Sequence, residues 1–332
     1  MRVVNSQRSV VSIPLCALLF ALCSSVGAQP TKKVSLIGVI SGGSPSSDAA
    51  YHQAFLNGLS ELGYVKDKNI RIEYRYAGGR RNRFAEYAAE FVRSKVDVIV
   101  AGGATGILEA KKATRTIPIV MTNVSDPVAL GFVTSLARPG GNLTGLSTQA
   151  PELSGKRLEL LKDIFPSVSR VAVLWQPGGR GSALRAKETE TTAPALGINI
   201  QLIEVREPNE LEGAFAAMKK DRADALLPLR SPLIGNQVRR IIELAAKSRI
   251  PAMYDERGFV EAGGLMFYGT DNVDLFHRAA TYVDKILKGA NPADLPIEQP
   301  TRFRFFINLK AAKQIGLTIP PNVLARADRV IR

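Results

Sequence analysis

Short apolar runs that end in small, turn-forming residues alternate with amphipathic stretches along most of this 332-residue chain. The first run, residues 34–40, ends in Ser-Gly-Gly-Ser-Pro and precedes a stretch with helical spacing that stops at Gly63. Apolar runs of this length are typical of strands buried on both faces of a parallel sheet. The alternation therefore predicts right-handed strand–helix–strand units in an open α/β sheet with helices on both faces.

The alternation occurs twice, on either side of a composition break at residues 139–142 (Pro-Gly-Gly-Asn). Before the break, the predicted strands are 34–40, 70–76, 96–101 and 117–121, with a short exit strand at 143–147. After it, they are 170–175, 198–205, 223–227, 250–253 and 264–268. A strong amphipathic helix follows Asp271 and ends at Gly289.

This double pattern predicts an α/β fold of two doubly wound, mainly parallel-sheet lobes joined by a multi-crossing hinge. We assign residues 29–148 and 270–332 to an N-terminal lobe, and residues 149–269 to a C-terminal lobe. In such an architecture, a ligand lies between the two lobes.

The first 28 residues have the pattern of an export signal. Arg2 and Arg8 precede an apolar run at 13–22, and small residues lead up to Ala28. The run is shorter than the about 20 residues that a membrane span needs. We predict cleavage after Ala28 and a periplasmic mature protein. A retained N-terminal anchor and a lipoprotein processed at Cys23 are the alternatives.

Cysteine and histidine content argues against several classes of chemistry. Cys16 and Cys23 are the two cysteines of the chain and both fall in the predicted signal, which argues against thiol catalysis and thiolate metal sites. The two histidines, His52 and His277, lie on separate predicted helices. Ser44 lies in Gly-Gly-Ser-Pro-Ser, which does not match the G-x-S-x-G nucleophile motif. We expect no catalytic residue, no metal and no cofactor.

The charge balance is basic, with 44 Lys and Arg residues against 30 Asp and Glu residues and a formal net charge of +14. The basic residues are scattered and are not interleaved with aromatic residues. Together with the export signal, this distribution argues against a nucleic-acid partner. It is typical of a solvated basic surface, and attraction to an anionic membrane surface is the alternative.

Ligands of open α/β sheets collect beyond the carboxyl ends of the strands. The loops at these positions hold small residues, hydroxyls and amides, with few charges. The predicted ligand-binding residues are Ser41, Ser44, Gly103, Ala104, Thr105, Thr122, Asn123, Asp126, Trp175, Gln176, Ser231, Tyr254, Asp255, Tyr268 and Asp271.

Two of these loops offer a defined contact and also have an ordinary structural explanation. Backbone N–H groups at residues 103–105 lie at a predicted helix start, where they would hold a carboxylate or phosphate. The alternative is a tight turn with Thr105 as the helix cap. Asp126 is followed by Pro127, a standard helix start, so Asp126 is either a cap, a ligand contact or both.

Other predicted residues would contact the positively charged and apolar parts of a solute. A positive group would face Asp126, Asp255 or Asp271, and aromatic side chains at Trp175, Tyr254 or Tyr268 would shield the apolar part. Core packing for Trp175 and helix capping for Asp255 are the alternatives, and Tyr268 and Asp271 mark the predicted last hinge.

Several motifs spread over residues 34–332 together resemble a known family. They are Gly58-Leu-x-Glu-Leu-Gly-Tyr64, Asn69-Ile70, Lys95-Val-Asp-Val-Ile-Val-Ala101, Asp126-Pro-Val128, Leu136-Ala-Arg-Pro-Gly-Gly-Asn142, Thr144-Gly145, Gly155-Lys-Arg-Leu-Glu-Leu-Leu161, Leu295-Pro-Ile-Glu-Gln-Pro300, Ile307-Asn-Leu-Lys310 and Gly316-Leu-Thr-Ile-Pro320. As a set they resemble the ABC transporter substrate-binding family with the type I periplasmic-binding fold, in the group that includes tryptophan and tyrosine uptake binding proteins.

The resemblance implies a protein that captures a small solute, such as an amino acid or a small aromatic carboxylate, by hinge closure and without catalysis. Its partners would be the solute, a transmembrane ABC permease and that permease's cytoplasmic ATPase, and we expect a monomer. A periplasmic sensor or chemoreceptor subunit and a secreted α/β hydrolase are the alternative functions.

Overall fold

The first lobe is an open parallel sheet whose first three strands are each followed by a helix. Its elements are β1 (Ser35–Ser41), α1 (Ala49–Glu61), β2 (Ile70–Tyr76), α2 (Asn82–Arg93), β3 (Val98–Gly102), α3 (Gly103–Ala113), β4 (Ile119–Val124) and β5 (Leu143–Ser147). The strands pair in the order β2-β1-β3-β4-β5, and every pairing is parallel. All five predicted strands of this lobe form, and those at 70–76 and 143–147 have the predicted bounds.

The second lobe repeats the arrangement. Its elements up to the last predicted strand are α4 (Ala150–Ile164), β6 (Arg170–Trp175), α5 (Arg180–Thr192), β7 (Asn199–Glu204), α6 (Leu211–Lys220), β8 (Ala225–Pro228), α7 (Pro232–Asn236), α8 (Val238–Ser248), β9 (Met253–Tyr254), α9 (Arg257–Glu261) and β10 (Met266–Thr270). Strands β7-β6-β8 form one parallel sheet, and an isolated bridge between Leu226 and Ala252 connects it to β9 and β10.

The C-terminal part of the chain is divided between the two lobes. It contains α10 (Asn272–Leu287), β11 (Phe303–Asn308), α11 (Leu309–Gln314), α12 (Pro321–Leu324) and β12 (Arg329–Ile331). Helix α10 packs on α1 and β4 of the first lobe, whereas β11 pairs antiparallel with β10 and parallel with β12. The two-lobed α/β fold is thereby confirmed, with one antiparallel pairing in the second sheet.

This arrangement corrects the predicted lobe boundary, which placed all of residues 270–332 in the N-terminal lobe. Residues 303–332 lie in the second lobe because Phe305 and Ile307 of β11 are buried in its core. Phe306, which points to the other face of the sheet, packs edge-on against Phe267 with 5.6 Å between ring centroids. The prediction missed β11 because its pairing partner lies more than thirty residues earlier, beyond a helix of the other lobe.

The structure is a computed structural model that describes residues 34–148, 150–300 and 302–332, together with Met1 and Val3. The predicted signal peptide, residues 1–28, otherwise lies outside the described residues. Residues 34–332 form one compact unit. None of the helices in these described ranges has the length and apolarity to cross a membrane.

Three passages of chain connect the lobes in the part of the chain that the structure describes. The first lies between β5 and α4, and the second lies between β10 and α10. The third runs from Glu298, which forms a bridge with Leu146 of β5, to the start of β11. At the hinge, the hydroxyl of Thr270 donates to the backbone carbonyl of Thr148 at 2.9 Å. This buried bond ties two of the passages together.

Apolar side chains pack on both faces of each sheet. Central strands such as β3 (Val98–Gly102) therefore consist mainly of apolar residues. In the first lobe, Ile37 and Val39 of β1 pack against α1 and α10, while Ile40 packs on the opposite face with Phe84 of α2. Burying one such side chain stabilises the fold by about 1.5–3 kcal/mol. Because both faces of the sheets are covered, the polar loops at the carboxyl ends of the strands remain accessible to a ligand.

Candidate functional site

The carboxyl ends of the strands in the two lobes face a common cavity of about 900 Å³. This volume lies in the upper part of the range usual for small-molecule sites, about 300–1,000 Å³. From the first lobe, the loops after β1, β3 and β4 line it. From the second lobe, the start of α5 and the loops after β8 and β9 line it. We call this space the interlobe cavity.

The first lobe contributes small and polar groups together with three aromatic rings. Ser41 lies at the end of β1 and donates a hydrogen bond to Asp48, and both line the cavity. The aromatic part is formed by Tyr51, Phe84 and Phe276, and the rings of Tyr51 and Phe276 stack with 5.2 Å between centroids. The wall therefore offers both hydrogen bonds and an apolar face.

Helix α3 begins at the cavity without a side-chain cap. Gly102 is the N-cap residue and makes no side-chain hydrogen bond, and Gly103 has a φ of 72°, which is in the left-handed region that favours glycine. Thr105 is the third residue of the helix and not its cap, so the predicted capping role of Thr105 is wrong. The first N–H groups of α3 are left for water or a ligand.

The second lobe contributes charged side chains. Arg185 of α5 and Arg230 after β8 line the cavity with Glu256, which precedes α9. Arg230 Nε lies 2.8 Å from Glu256 Oε1. Burial raises the pKa of Glu256 although Arg230 opposes the shift. Burial by itself lowers the pKa of Arg230, but neighbouring anionic groups, chiefly Glu256, produce a net increase.

The two lobes touch each other around the cavity. Arg81 Nη2 of the first lobe donates to the carbonyl of Pro177 at 2.8 Å, and the Tyr51 hydroxyl donates to Glu256 Oε1 at 3.4 Å. Burial raises the pKa of Tyr51, and the Glu256 carboxylate adds to this shift, so the hydroxyl stays protonated and able to donate. These bonds hold the lobes together in the arrangement seen here.

Several buried polar atoms near the cavity have no hydrogen-bond partner among the described residues. They include the hydroxyls of Ser125 and Ser182, which lie on opposite lobes and are 4% and 5% exposed. A buried polar atom without a partner is destabilising by about 1–3 kcal/mol. The unpaired hydroxyls are therefore suited to a polar ligand or to water.

Of the predicted ligand-binding residues, the structure brings seven together around the interlobe cavity. They are Ser41, Ser44, Gly103, Ala104, Thr105, Asn123 and Ser231. Asn123 has a φ of 55°, a left-handed conformation that asparagine tolerates better than most residues. Asp255 lines an adjoining smaller cavity, and its carboxylate accepts the backbone N–H of Arg230 at 3.0 Å.

Three polar residues from the predicted set are engaged in local structure and lie outside the cavity wall. Asp126 accepts the N–H groups of Val128 and Ala129, each at 2.9 Å, and Asp271 accepts that of Val273 at 3.1 Å. Both are therefore helix-type caps, which for Asp126 was one of the two interpretations left open. Thr122 is fully buried in β4.

Four further predicted residues, at the ends of the second-lobe strands, belong to the core and not to the cavity wall. Tyr254 is 1% exposed and stacks on Phe259, while Trp175 and Tyr268 pack against the apolar core. Gln176 is also buried. The aromatic residues that do line the cavity come from helices, and strand-end reasoning does not find them.

The residues that the prediction missed are mostly the charged ones. Arg81, Arg185, Arg230 and Glu256 lie in or next to predicted loops and helices and carry no local pattern that distinguishes them from surface charges. Helix α5 starts at Arg180, so Gly181 and Arg185, four residues apart, lie on the same face of the helix, and both line the cavity.

A buried histidine lies next to the first-lobe wall. His52 Nδ1 is 2.9 Å from the Tyr76 hydroxyl, its Nε2 has no partner within the described ranges, and the side chain is enclosed by Tyr74 and Phe276. Burial lowers the pKa of His52, and nearby Asp48 opposes the shift. The imidazole is therefore held neutral in the folded protein.

This environment predicts a specific loss of stability in acid. As the pH falls below about 6.5, His52 takes up a proton in the unfolded chain before it does so in the folded one, so the free energy of unfolding decreases. The His52→Gln variant should lose less stability than the unchanged protein between pH 7 and pH 5, measured by urea unfolding at each pH. His277→Gln removes the other histidine, and an equal effect from that variant would contradict the assignment.

Among the described residues, no group of three or more His, Cys, Asp or Glu side chains is arranged to hold a metal ion. Two lobes that enclose a cavity at their strand ends, with polar groups converging from both sides, define a two-lobed binding protein.

Comparison with known proteins identifies the family. The family model described as "ABC transporter substrate binding protein" matches residues 33–331. The chain belongs to this family.

Individual relatives agree with this assignment. A tyrosine-binding protein of Clostridioides difficile (strain R20291) is 28% identical over 273 residues, covering 82% of this chain and 78% of the relative. The structure of an ABC domain in complex with L-Trp from Streptococcus pneumoniae is 28% identical and has a TM-score of 0.81, covering 89% of this chain and 100% of that one. The ligand-free, open structure of an adhesive substrate-binding protein from Clostridium difficile is 25% identical and has a TM-score of 0.64, covering 90% and 99%.

Proposed function

We propose that this protein is the extracytoplasmic solute-binding component of an ABC importer and that it captures a small amino acid, with an aromatic side chain, between its lobes. The observation that carries the proposal is the interlobe cavity, into which both lobes direct polar groups that lack partners among the described residues. Binding requires no covalent step, since the residues that line the cavity can hold a solute through hydrogen bonds and ring contacts.

The composition of the cavity wall supports an aromatic amino acid. Tyr51, Phe84 and Phe276 supply a face on which a ring or methylene chain packs, and serine hydroxyls with arginine side chains supply donors for a carboxylate. Asp48 supplies an acceptor for an ammonium group. The relatives described as tyrosine-binding and as an L-Trp complex favour the same class of solute.

Hinge closure is the mechanism that we propose. The contacts of Arg81 with Pro177 and of Tyr51 with Glu256 exist only when the lobes approach each other. The fold is more similar to the L-Trp complex than to the ligand-free open structure, which supports reading the present arrangement as the closed one. A solute that contacts both lobes would shift the population toward this form.

Membership of the family supports a role in transport. A closed, loaded protein would present both lobes together to a transmembrane permease, and a cytoplasmic ATPase would drive release. We propose that the protein acts in the periplasm as a monomer, with residues 1–28 as the cleaved signal.

Thermal melting of the protein lacking residues 1–28 tests the solute class. L-tryptophan, L-tyrosine and L-phenylalanine should raise the melting temperature, since a ligand at about 100 times its Kd adds roughly 2.7 kcal/mol to stability. Glucose and ribose are the matched controls and should leave it unchanged. Stabilisation by the sugars alone would contradict the proposal.

A further inference from the structure

Three arginines meet at the hinge end of the interlobe cavity. Arg157 of α4, Arg185 of α5 and Arg230 after β8 line a second, smaller cavity of about 20 Å³ together with Asp255. Arg185, Arg230 and Asn123 line both cavities, so the smaller one adjoins the larger. We call the three side chains the arginine triad.

Each guanidinium of the triad is held in place by one bond to its own lobe. Arg157 Nε donates to the carbonyl of Tyr268 and Arg185 Nη2 donates to the carbonyl of Arg230, both at 2.7 Å. Arg230 is fixed by its ion pair with Glu256. The triad is therefore preorganised, and its position does not depend on a ligand.

Each guanidinium also keeps one buried nitrogen without a hydrogen-bond partner in the described part of the chain. These atoms are Arg157 Nη1, Arg185 Nε and Arg230 Nη1. The side chain of Arg157 is only 2% exposed, so bulk water does not satisfy its free nitrogen. Unpaired buried donors on charged groups are more destabilising than unpaired neutral ones. All three arginines line the same small cavity, which favours an acceptor that binds there.

Arg157 and Arg230 repel the positive charge of Arg185, and nearby carboxylates counter this repulsion. Asp255 and Glu256 act on Arg185, and Asp48 acts in addition on Arg230. Burial lowers the pKa of Arg185 to about 10, with Arg230 and Arg157 contributing to this shift and Asp255 opposing it. One additional negative charge would relieve this repulsion and pair the free nitrogens.

We propose that the arginine triad is an anion subsite that holds the carboxylate of the bound solute. This inference rests on the proposed function and specifies how the same cavity orients its ligand. A space of about 20 Å³ accommodates an atom of the size of a water oxygen, which is enough for a carboxylate oxygen entering from the larger cavity. The side chain of the solute then lies toward Tyr51, Phe84 and Phe276.

This orientation differs from the one suggested by the sequence, in which the N–H groups of residues 103–105 hold the carboxylate. Those groups belong to the first lobe, whereas the triad belongs to the second. If the triad holds the carboxylate, a substitution in the triad weakens solute binding, whereas if the N–H groups of residues 103–105 hold it, the same substitution leaves the affinity unchanged.

A series of related ligands tests the proposal by isothermal titration calorimetry. Against the unchanged protein, L-tryptophan and indole-3-propionate, which keep the carboxylate, should bind, and tryptamine, which lacks it, should bind at least tenfold more weakly. Equal affinity for tryptamine and tryptophan would overturn the subsite while leaving the proposed function in place.

Arg185 is the residue to substitute because it is only partly buried, unlike Arg157. Arg185→Gln should weaken indole-3-propionate binding about tenfold or more, since it removes a charge-assisted hydrogen bond, and Arg185→Lys should recover part of the loss. Arg180→Gln, at an exposed position on the same helix, is the matched control and should bind as the unchanged protein does. Equal affinities for Arg185→Gln and Arg180→Gln would overturn the proposal.

Two further experiments distinguish an inorganic anion from the solute carboxylate, and a failure of the triad proposal from a failure of the proposed function. If chloride alone stabilises the protein and tryptophan does not displace it, the triad holds an inorganic ion and the assignment to the solute is wrong. If no aromatic amino acid binds, the proposed solute class fails. Benzoate and benzamide then test the triad by melting, and stabilisation by benzoate that Arg185→Gln abolishes supports the anion subsite, whereas its absence overturns it.

Discussion

Replacing Gly181 with valine should weaken solute binding by about 100-fold and leave the unliganded fold intact. Gly181 is the second residue of α5, and a Cβ atom at this position would lie 3.3 Å from Cβ of Ala104 in the opposite lobe. Valine adds two methyl groups beyond this Cβ, so we expect them to increase the crowding between the lobes. Overpacking of this kind is destabilising by about 1–3 kcal/mol, and the upper value corresponds to about 100-fold in affinity.

The location of the clash makes this substitution a test of closure and not of folding. In an open protein, Ala104 and residue 181 are apart, so the melting temperature without solute should stay the same while the Kd rises. Gly213→Val is the matched control. Gly213 likewise lies in the first turn of a second-lobe helix, it does not line the interlobe cavity, and a Cβ there meets no heavy atom within 4 Å among the described residues. Unchanged affinity for Gly181→Val would exclude the closed arrangement as the binding form.

Replacing Gly145 with alanine should destabilise the whole first lobe by about 3 kcal/mol or more. Gly145 lies in β5 with a φ of 131°, and a Cβ atom there would lie 2.3 Å from the carbonyl oxygen and 2.6 Å from the nitrogen of Met121 in β4. The obstructing atoms are backbone atoms of a central sheet, so they do not move aside as a flexible side chain does. The pairing of β4 and β5, which shifts register next to Met121, would have to open.

The expected result is a lower melting temperature by circular dichroism and a smaller soluble yield. Gly213→Ala is the control in the opposite direction. Gly213 is the third residue of α6, and a Cβ there meets no described heavy atom within 4 Å, so alanine should stabilise the protein by about 0.5–1 kcal/mol because it favours the helix. A Gly145→Ala variant that melts with the unchanged protein would show that the backbone approach is not as close as described.

Local pattern predicted most of the secondary structure. Apolar residues recur in the strand segments, and turn-forming residues lie close to their ends, so β2 (Ile70–Tyr76), β5 (Leu143–Ser147) and β6 (Arg170–Trp175) have the predicted bounds. The rule that ligands lie beyond strand ends also located Ser41, Asn123 and Ser231 on the cavity wall.

Local sequence patterns did not predict the features that depend on contacts between residues distant in sequence. Phe303–Asn308 joins the second sheet through Met266–Thr270, across the intervening helix α10, and the arginine triad joins α4, α5 and the loop after β8. No short segment shows that an arginine will be buried, because its hydrophobic stem and charged head have the same local pattern in the core and on the surface.

The sequence by itself determined the class of fold, the two-lobed organisation and the family, because these depend on apolar periodicity and on short motifs that are local properties of the chain. Only the tertiary structure decided which lobe holds residues 303–332, which aromatic rings face the cavity, and where unpaired positive charge accumulates. Those features depend on the balance of burial and charge among groups that meet only after folding, and electrostatic free energies depend on the distances that folding creates.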